Sequence, residues 1–155
     1  MATKVEHRFL LDTFFFEKVL KGNPDLQYKL GYITSKASGN KKNQNLISNK
    51  SREIILKNNP KISDEVLKYF LNRIKDPEYV QSIEDIDDEV ERNVKYAISL
   101  TYYFPNKVII FTTKEKLDEY EKNKHYQNIK SVSLITDDDA IKVVEFWFKK
   151  CRYET

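Results

Sequence analysis

Apolar residues run along this chain in two rhythms. Short unbroken blocks mark buried strands, and apolar positions three and four apart mark helices. The block HRFLL at 7–11 closes on Asp12 and predicts a strand with a carboxylate at its tip. Asp12 or Thr13 then caps a helix over 14–20, where Phe15, Phe16, Val19 and Leu20 fall near helical spacing, and Gly22-Asn23-Pro24-Asp25 ends it. Residues 30–34 read as a second strand. The stretch 35–51, SKASGNKKNQNLISNKS, reads as a mobile polar loop, and 52–57 as a helical turn stopped before Pro60. Ser63-Asp64-Glu65 opens a helix with acids in its first turn, and its apolar stripe Val66, Leu67, Phe70, Leu71, Ile74 runs towards Pro77. The clearest helix starts at Asp87 or Asp88 and carries Val90, Val94, Ala97, Ile98 and Thr101 on one face. Residues 108–112 form an unbroken apolar strand, 114–123 a polar helix, 132–136 a last strand and 137–150 a last helix.

Strands that alternate with helices predict an α/β fold. The expectation is three layers: a mostly parallel sheet of about four strands, with helices on both faces. A chain of 155 residues suits a single domain over 1–155. Such a sheet gathers the carboxyl ends of its strands along one edge, where sites form.

Composition narrows the chemistry. The chain is 40% apolar and 33% charged, and its longest apolar runs fall far short of the ~20 residues that span a bilayer. No membrane partner is expected. The opening MATKVEHRFLLD lacks a small-residue cleavage site, so the cytoplasm is the expected compartment. One cysteine, Cys151, excludes a disulfide framework, and two histidines argue against a His-rich metal site. Neither GxGxxG nor GxxxxGK[ST] occurs.

Charge is unevenly spread although the net value is only +3. From Leu26 to Arg52 there are six basic residues and no acid, whereas six of the eight residues from Glu84 to Glu91 are acidic. Lys36, Lys41, Lys42, Lys50 and Arg52 are candidate phosphate contacts, which would make RNA binding salt-dependent and blind to sequence. Phe146, Trp147 and Phe148 cannot all face inwards, so an exposed aromatic there offers a surface to a protein partner or a second copy of the chain.

Three strands end in polar clusters: LLDT at Asp12, FTTKEK after Phe111 and LITDDD after Ile135. Carboxylates collected at one sheet edge would bind Mg²⁺ or Mn²⁺, since hard cations take oxygen ligands. Helix capping is the competing use of each acid. The order of these motifs resembles PIN-domain nucleases. HRFLLDTFFF is similar to their opening strand, DDEVERNVKYAISL followed by NKVIIFTTKEKL to their later helix and strand, and SVSLITDDDAIKVV to their final strand and helix.

The resemblance implies a metal-dependent ribonuclease of the kind found among toxins and RNA-processing nucleases, with about four clustered acids. Asp12 matches the first, and Asp87, with Asp88 as its neighbour, matches the acid that opens the long helix. Two positions depart from the pattern. No acid follows residues 30–34 until Glu53, and Lys114 stands where an acid is expected, with Glu115 one place on. The expected ligand set is therefore Asp12, Asp87 and Asp88 with help from Glu53, and the catalytic set Asp12, Asp87, Asp88 and Glu115. The departures also admit a PIN-like module that binds RNA or protein without cleaving.

Overall fold

Five short strands form one all-parallel sheet. They are β1 (His7–Leu11), β2 (Asn43–Ile47), β3 (Asn72–Arg73), β4 (Val108–Thr112) and β5 (Val132–Thr136), in the order β3-β2-β1-β4-β5. The structure, a computed structural model, describes residues 7–37, 43–74, 80–103, 108–123 and 132–153. β1 is central, and its apolar residues point to both faces. Phe9 and Leu11 join Ile47, Ile109 and Phe111 in one core, whereas Leu10 joins Leu46, Val108 and Ile110 in the other. Burial on both faces is why β1 and β4 read as apolar runs.

Helices cover each face. On the first lie α1 (Thr13–Phe15) with the π-helical turn Phe16–Leu20 that continues it, α2 (Pro24–Ala37), α3 (Asn49–Asn58), α4 (Asp64–Phe70) and α8 (Asp137–Tyr153), with Phe15, Leu30, Ile55, Leu67 and Trp147 in the core. On the second lie α5 (Gln81–Glu84), α6 (Glu89–Tyr103) and α7 (Lys114–Asn123), which contribute Ile83, Val94, Ala97, Leu100 and Tyr120. The fold is the expected three-layer α/β arrangement. No helix of the described residues is long and apolar enough to cross a membrane.

The sheet has five strands rather than four, and the difference lies in its first half. Residues 30–34 are helical, inside α2. Leu26, Leu30 and Ile33 are buried at helical spacing, and the Asn23 side chain accepts from the Leu26 N–H at 3.1 Å, so the Gly-Asn-Pro segment starts a helix as well as ending one. The second strand sits instead within the expected loop, at β2. Only Leu46 and Ile47 mark it as apolar. Its buried Asn45 donates to the Leu30 carbonyl at 3.0 Å and to Thr34, which fastens a polar residue under α2. The same expected loop also yields the start of α3, capped by the Ser48 side chain. α4 stops at Phe70, because Leu71 turns extended and the Ile74 N–H donates to Ile47 in the ladder beside β3. Elsewhere the expected elements stand: β1, β4, α7, β5 and the Ser63 cap of α4. At the end of α8, Trp147 and Phe148 are buried while Phe146 is 57% exposed.

Candidate functional site

The chain leaves β1 for β2 and β3 on one side, then returns to place β4 and β5 on the other. The order of strands therefore reverses between β1 and β4. In open parallel sheets the crevice at the carboxyl ends of such a pair is where ligands bind. Asp12 follows β1 there, and Thr112-Thr113 closes β4.

Asp12 is completely buried. Alternation along β1 puts it on the same face as Leu10, towards α6. One carboxylate oxygen accepts from the Phe15 N–H at 2.7 Å and so caps α1; the other accepts from the Thr112 hydroxyl. Burial, followed by the negative charge of Glu89, pushes its pKa up to about 7, although the bonds from Thr112 and Phe15 pull the other way.

Glu89 is the second acid of the site. It is buried in the first turn of α6 and takes up the Thr13 N–H at 2.7 Å, the Thr13 hydroxyl and the Ser51 hydroxyl. Ser51 also accepts from the buried Arg92 guanidinium at 3.1 Å. Arg92 in turn donates to Ser48 at 3.3 Å and to the Ile86 carbonyl at 2.7 Å. Five segments thus meet in one buried network: the ends of β1, β2 and β4 and the starts of α3 and α6. An open cleft of about 400 Å³ lies beside it, lined by Thr13, Phe14, Lys50, Glu89, Lys116 and Tyr120 among others.

The other expected acids stand elsewhere. The Asp87 side chain is fully exposed and pairs with Lys50 at 3.2 Å. Asp88 accepts from the Glu91 N–H at 2.9 Å, the cap of α6. Glu53 is exposed on α3 and lines a separate cavity of about 640 Å³ with Asp64 and Arg73. Glu115 is exposed and bound by Lys18 at 2.8 and 3.0 Å, which holds its carboxyl below the usual range. Lys18 also lies 3.5 Å from Asp137, whose backbone takes a positive φ of 47° where β5 turns directly into α8. Lys114 pairs with Asp118 along α7 and is exposed. Among the described residues, no three His, Cys, Asp or Glu side chains come together.

Of the expected basic contacts, Lys41 and Lys42 lie outside the described residues, and Lys36 falls in the last turn of α2. The Arg52 side chain is buried and donates to Asp64 at 2.6 Å and to the Asp64 carbonyl at 2.8 Å, so it braces α3 against α4.

Glu89, Ser51 and Arg92 are absent from the sequence-based set. The acids that can cap α6 stand out in the sequence, yet a capping side chain, as Asp88 shows, turns back onto its own helix. An acid that faces a site belongs one position later, beside the apolar stripe, where Glu89 stands.

No family model matches the chain, and comparison with curated proteins and with solved structures returns no match.

Proposed function

We propose that this chain is a divalent-cation-dependent ribonuclease of PIN type acting in the cytoplasm. One observation carries the reading: two carboxylates, Asp12 and Glu89, are buried near each other at the switch point of a parallel sheet. Helix capping accounts for the bond from Asp12 to Phe15, but it does not account for a second buried carboxylate held on Thr13, the residue next to Asp12. Arg92 lies 4.0 Å from Glu89 alone, and a cation between the two carboxylates would relieve the repulsion that remains.

The donor set suits Mg²⁺ or Mn²⁺. Every side-chain donor around the pair other than Arg92 is oxygen: the Asp12 and Glu89 carboxylates and the Thr13, Ser51 and Thr112 hydroxyls. Two carboxylates are enough for Mg²⁺, which keeps several of its waters. A cation held there would supply a nucleophilic water and offset charge on a scissile phosphate. The protein's own contribution is positioning. Arg92 and Ser51 fix the Glu89 carboxylate, and Thr112 fixes Asp12.

The test is cleavage of single-stranded RNA in Mn²⁺ by wild type, Asp12→Asn and Glu89→Gln. Wild type should cleave and both variants should not, with their folds intact by circular dichroism. Cleavage that survives Asp12→Asn sinks the assignment.

A PIN-like module that binds RNA or protein without turnover is the second reading. Its supporting observation is Lys18, whose ammonium lies 2.8 Å from Glu115 and 3.5 Å from Asp137. That lysine is a cation built into the chain beside two acids that a larger ligand set would use. RNA retention without cleavage in Mn²⁺ would favour it.

A further inference from the structure

We infer that Asn93 is the third oxygen donor of the Asp12–Glu89 site, an inference that rests on reading that site as a cation site. Asn93 is completely buried in α6, and neither its amide oxygen nor its amide nitrogen has a hydrogen-bond partner. A wholly unpaired buried amide is rare in a folded protein, and a bound ion or its water is one of the few things that account for it. The contrast with its surroundings is sharp. Asp12, Glu89, Arg92, Ser48 and Ser51 all have partners in the network.

Placement points the amide at the carboxylates. Glu89 and Asn93 are four residues apart and share one face of α6. Side chains of a helix lean towards its N-terminus, so Asn93 leans back over the turn that carries Glu89. α6 covers the sheet face that holds Leu10, Leu46, Val108 and Ile110, the face on which Asp12 and Thr112 also stand. An amide oxygen is a hard donor of the kind Mg²⁺ and Mn²⁺ accept, directly or through one of their waters, and the amide N–H groups can hold a carboxylate in place.

The test is Mn²⁺ affinity, measured by calorimetric titration of the full chain without RNA. Asn93→Leu removes both amide groups at similar volume and should weaken Mn²⁺ binding about 10- to 100-fold, the loss typical of a supporting ligand. Its unfolding midpoint without metal should not fall, since nothing bonded is lost. Asn93→Asp keeps the shape and adds a carboxylate, so it should bind Mn²⁺ more tightly than wild type and unfold earlier without it. Wild-type affinity in Asn93→Leu overturns the inference while leaving the cation site standing. Should the leucine variant not fold, unchanged affinity in Asn93→Asp overturns it equally. If wild type binds no Mn²⁺, the reading of the site falls and this inference falls with it.

Discussion

Two pairs of acids stand at the same edge of the sheet and behave in opposite ways. Asp12 and Glu89 are buried on the α6 side with hydroxyls and amide N–H groups as their closest partners, and Asp12 is pushed up to about 7. Glu115 and Asp137 lie at the outer end, share the Lys18 ammonium, and Glu115 is held below its usual range. Residue type is alike in both; burial differs, and so does the built-in cation, a buried Arg92 guanidinium 4.0 Å from Glu89 in the first pair and the exposed Lys18 ammonium in the second. Acids at a strand edge become a candidate site when they are buried together and the one nearby cation, Arg92, pairs with only one of them, and a surface ion cluster when an exposed lysine reaches both.

The largest expected effect concerns Asp12 and pH. Its carboxyl holds a proton up to about pH 7 in the folded chain but only to its ordinary value of 3.8 when unfolded. Between those values the folded state binds the extra proton, so stability is full below about pH 4 and is lost as pH rises towards 7. At most ~4 kcal/mol is involved for a shift of about 3 units. Asp12→Asn, which keeps the shape and cannot ionise, should therefore unfold at a higher temperature than wild type at pH 8 and at the same temperature at pH 4. A variant less stable than wild type at pH 8 would show that the buried charge is already compensated.

Next comes Glu89→Ala. It leaves the Thr13 N–H, the Thr13 hydroxyl and the Ser51 hydroxyl without their acceptor and Arg92 without its ion-pair partner, and should cost ~3 kcal/mol, or ~6–12 °C in the melting midpoint. Glu115→Ala should leave the midpoint unmoved. Equal effects would erase the contrast between the pairs. Mn²⁺ at about 100 times its dissociation constant should add ~2.7 kcal/mol to wild type, several degrees in the midpoint, and nothing to Asp12→Asn. The smallest effect is that of Lys18→Met, which should not change the midpoint in 0.5 M salt, where an exposed pair is screened. A fall comparable to that of Glu89→Ala would mean that the outer cluster holds the edge together.

β1 and β4 are legible in the sequence because burial on both faces makes them apolar runs, and β5 is legible as a short, mostly apolar segment directly before an acid-rich helix start. β2 escaped because its buried Asn45 is polar and its partners in α2, the Leu30 carbonyl and the Thr34 hydroxyl, lie fifteen and eleven residues earlier. β3 escaped because two residues carry no period. In the site, Asp12 was legible since a single acid closing an apolar run must sit at a strand tip. Ser51 was hidden in a segment that looks uniformly polar. Glu89 was hidden among six acids, and only the direction of the helix face separates it from Asp87 and Asp88. The dyad could be anticipated as chemistry, but its membership needed the angle at which α6 meets the sheet.

β1 carries the first acid of the site, yet the threonine that fixes that acid lies 100 residues later. β1 is also the middle strand, so during synthesis its β4-facing edge stays open until residue 112 has emerged. Parallel pairing across such a separation is slow, and an open edge invites wrong partners. The order of strands that creates the crevice thus also sets the chain's period of vulnerability. The candidate site closes only at the moment that period ends.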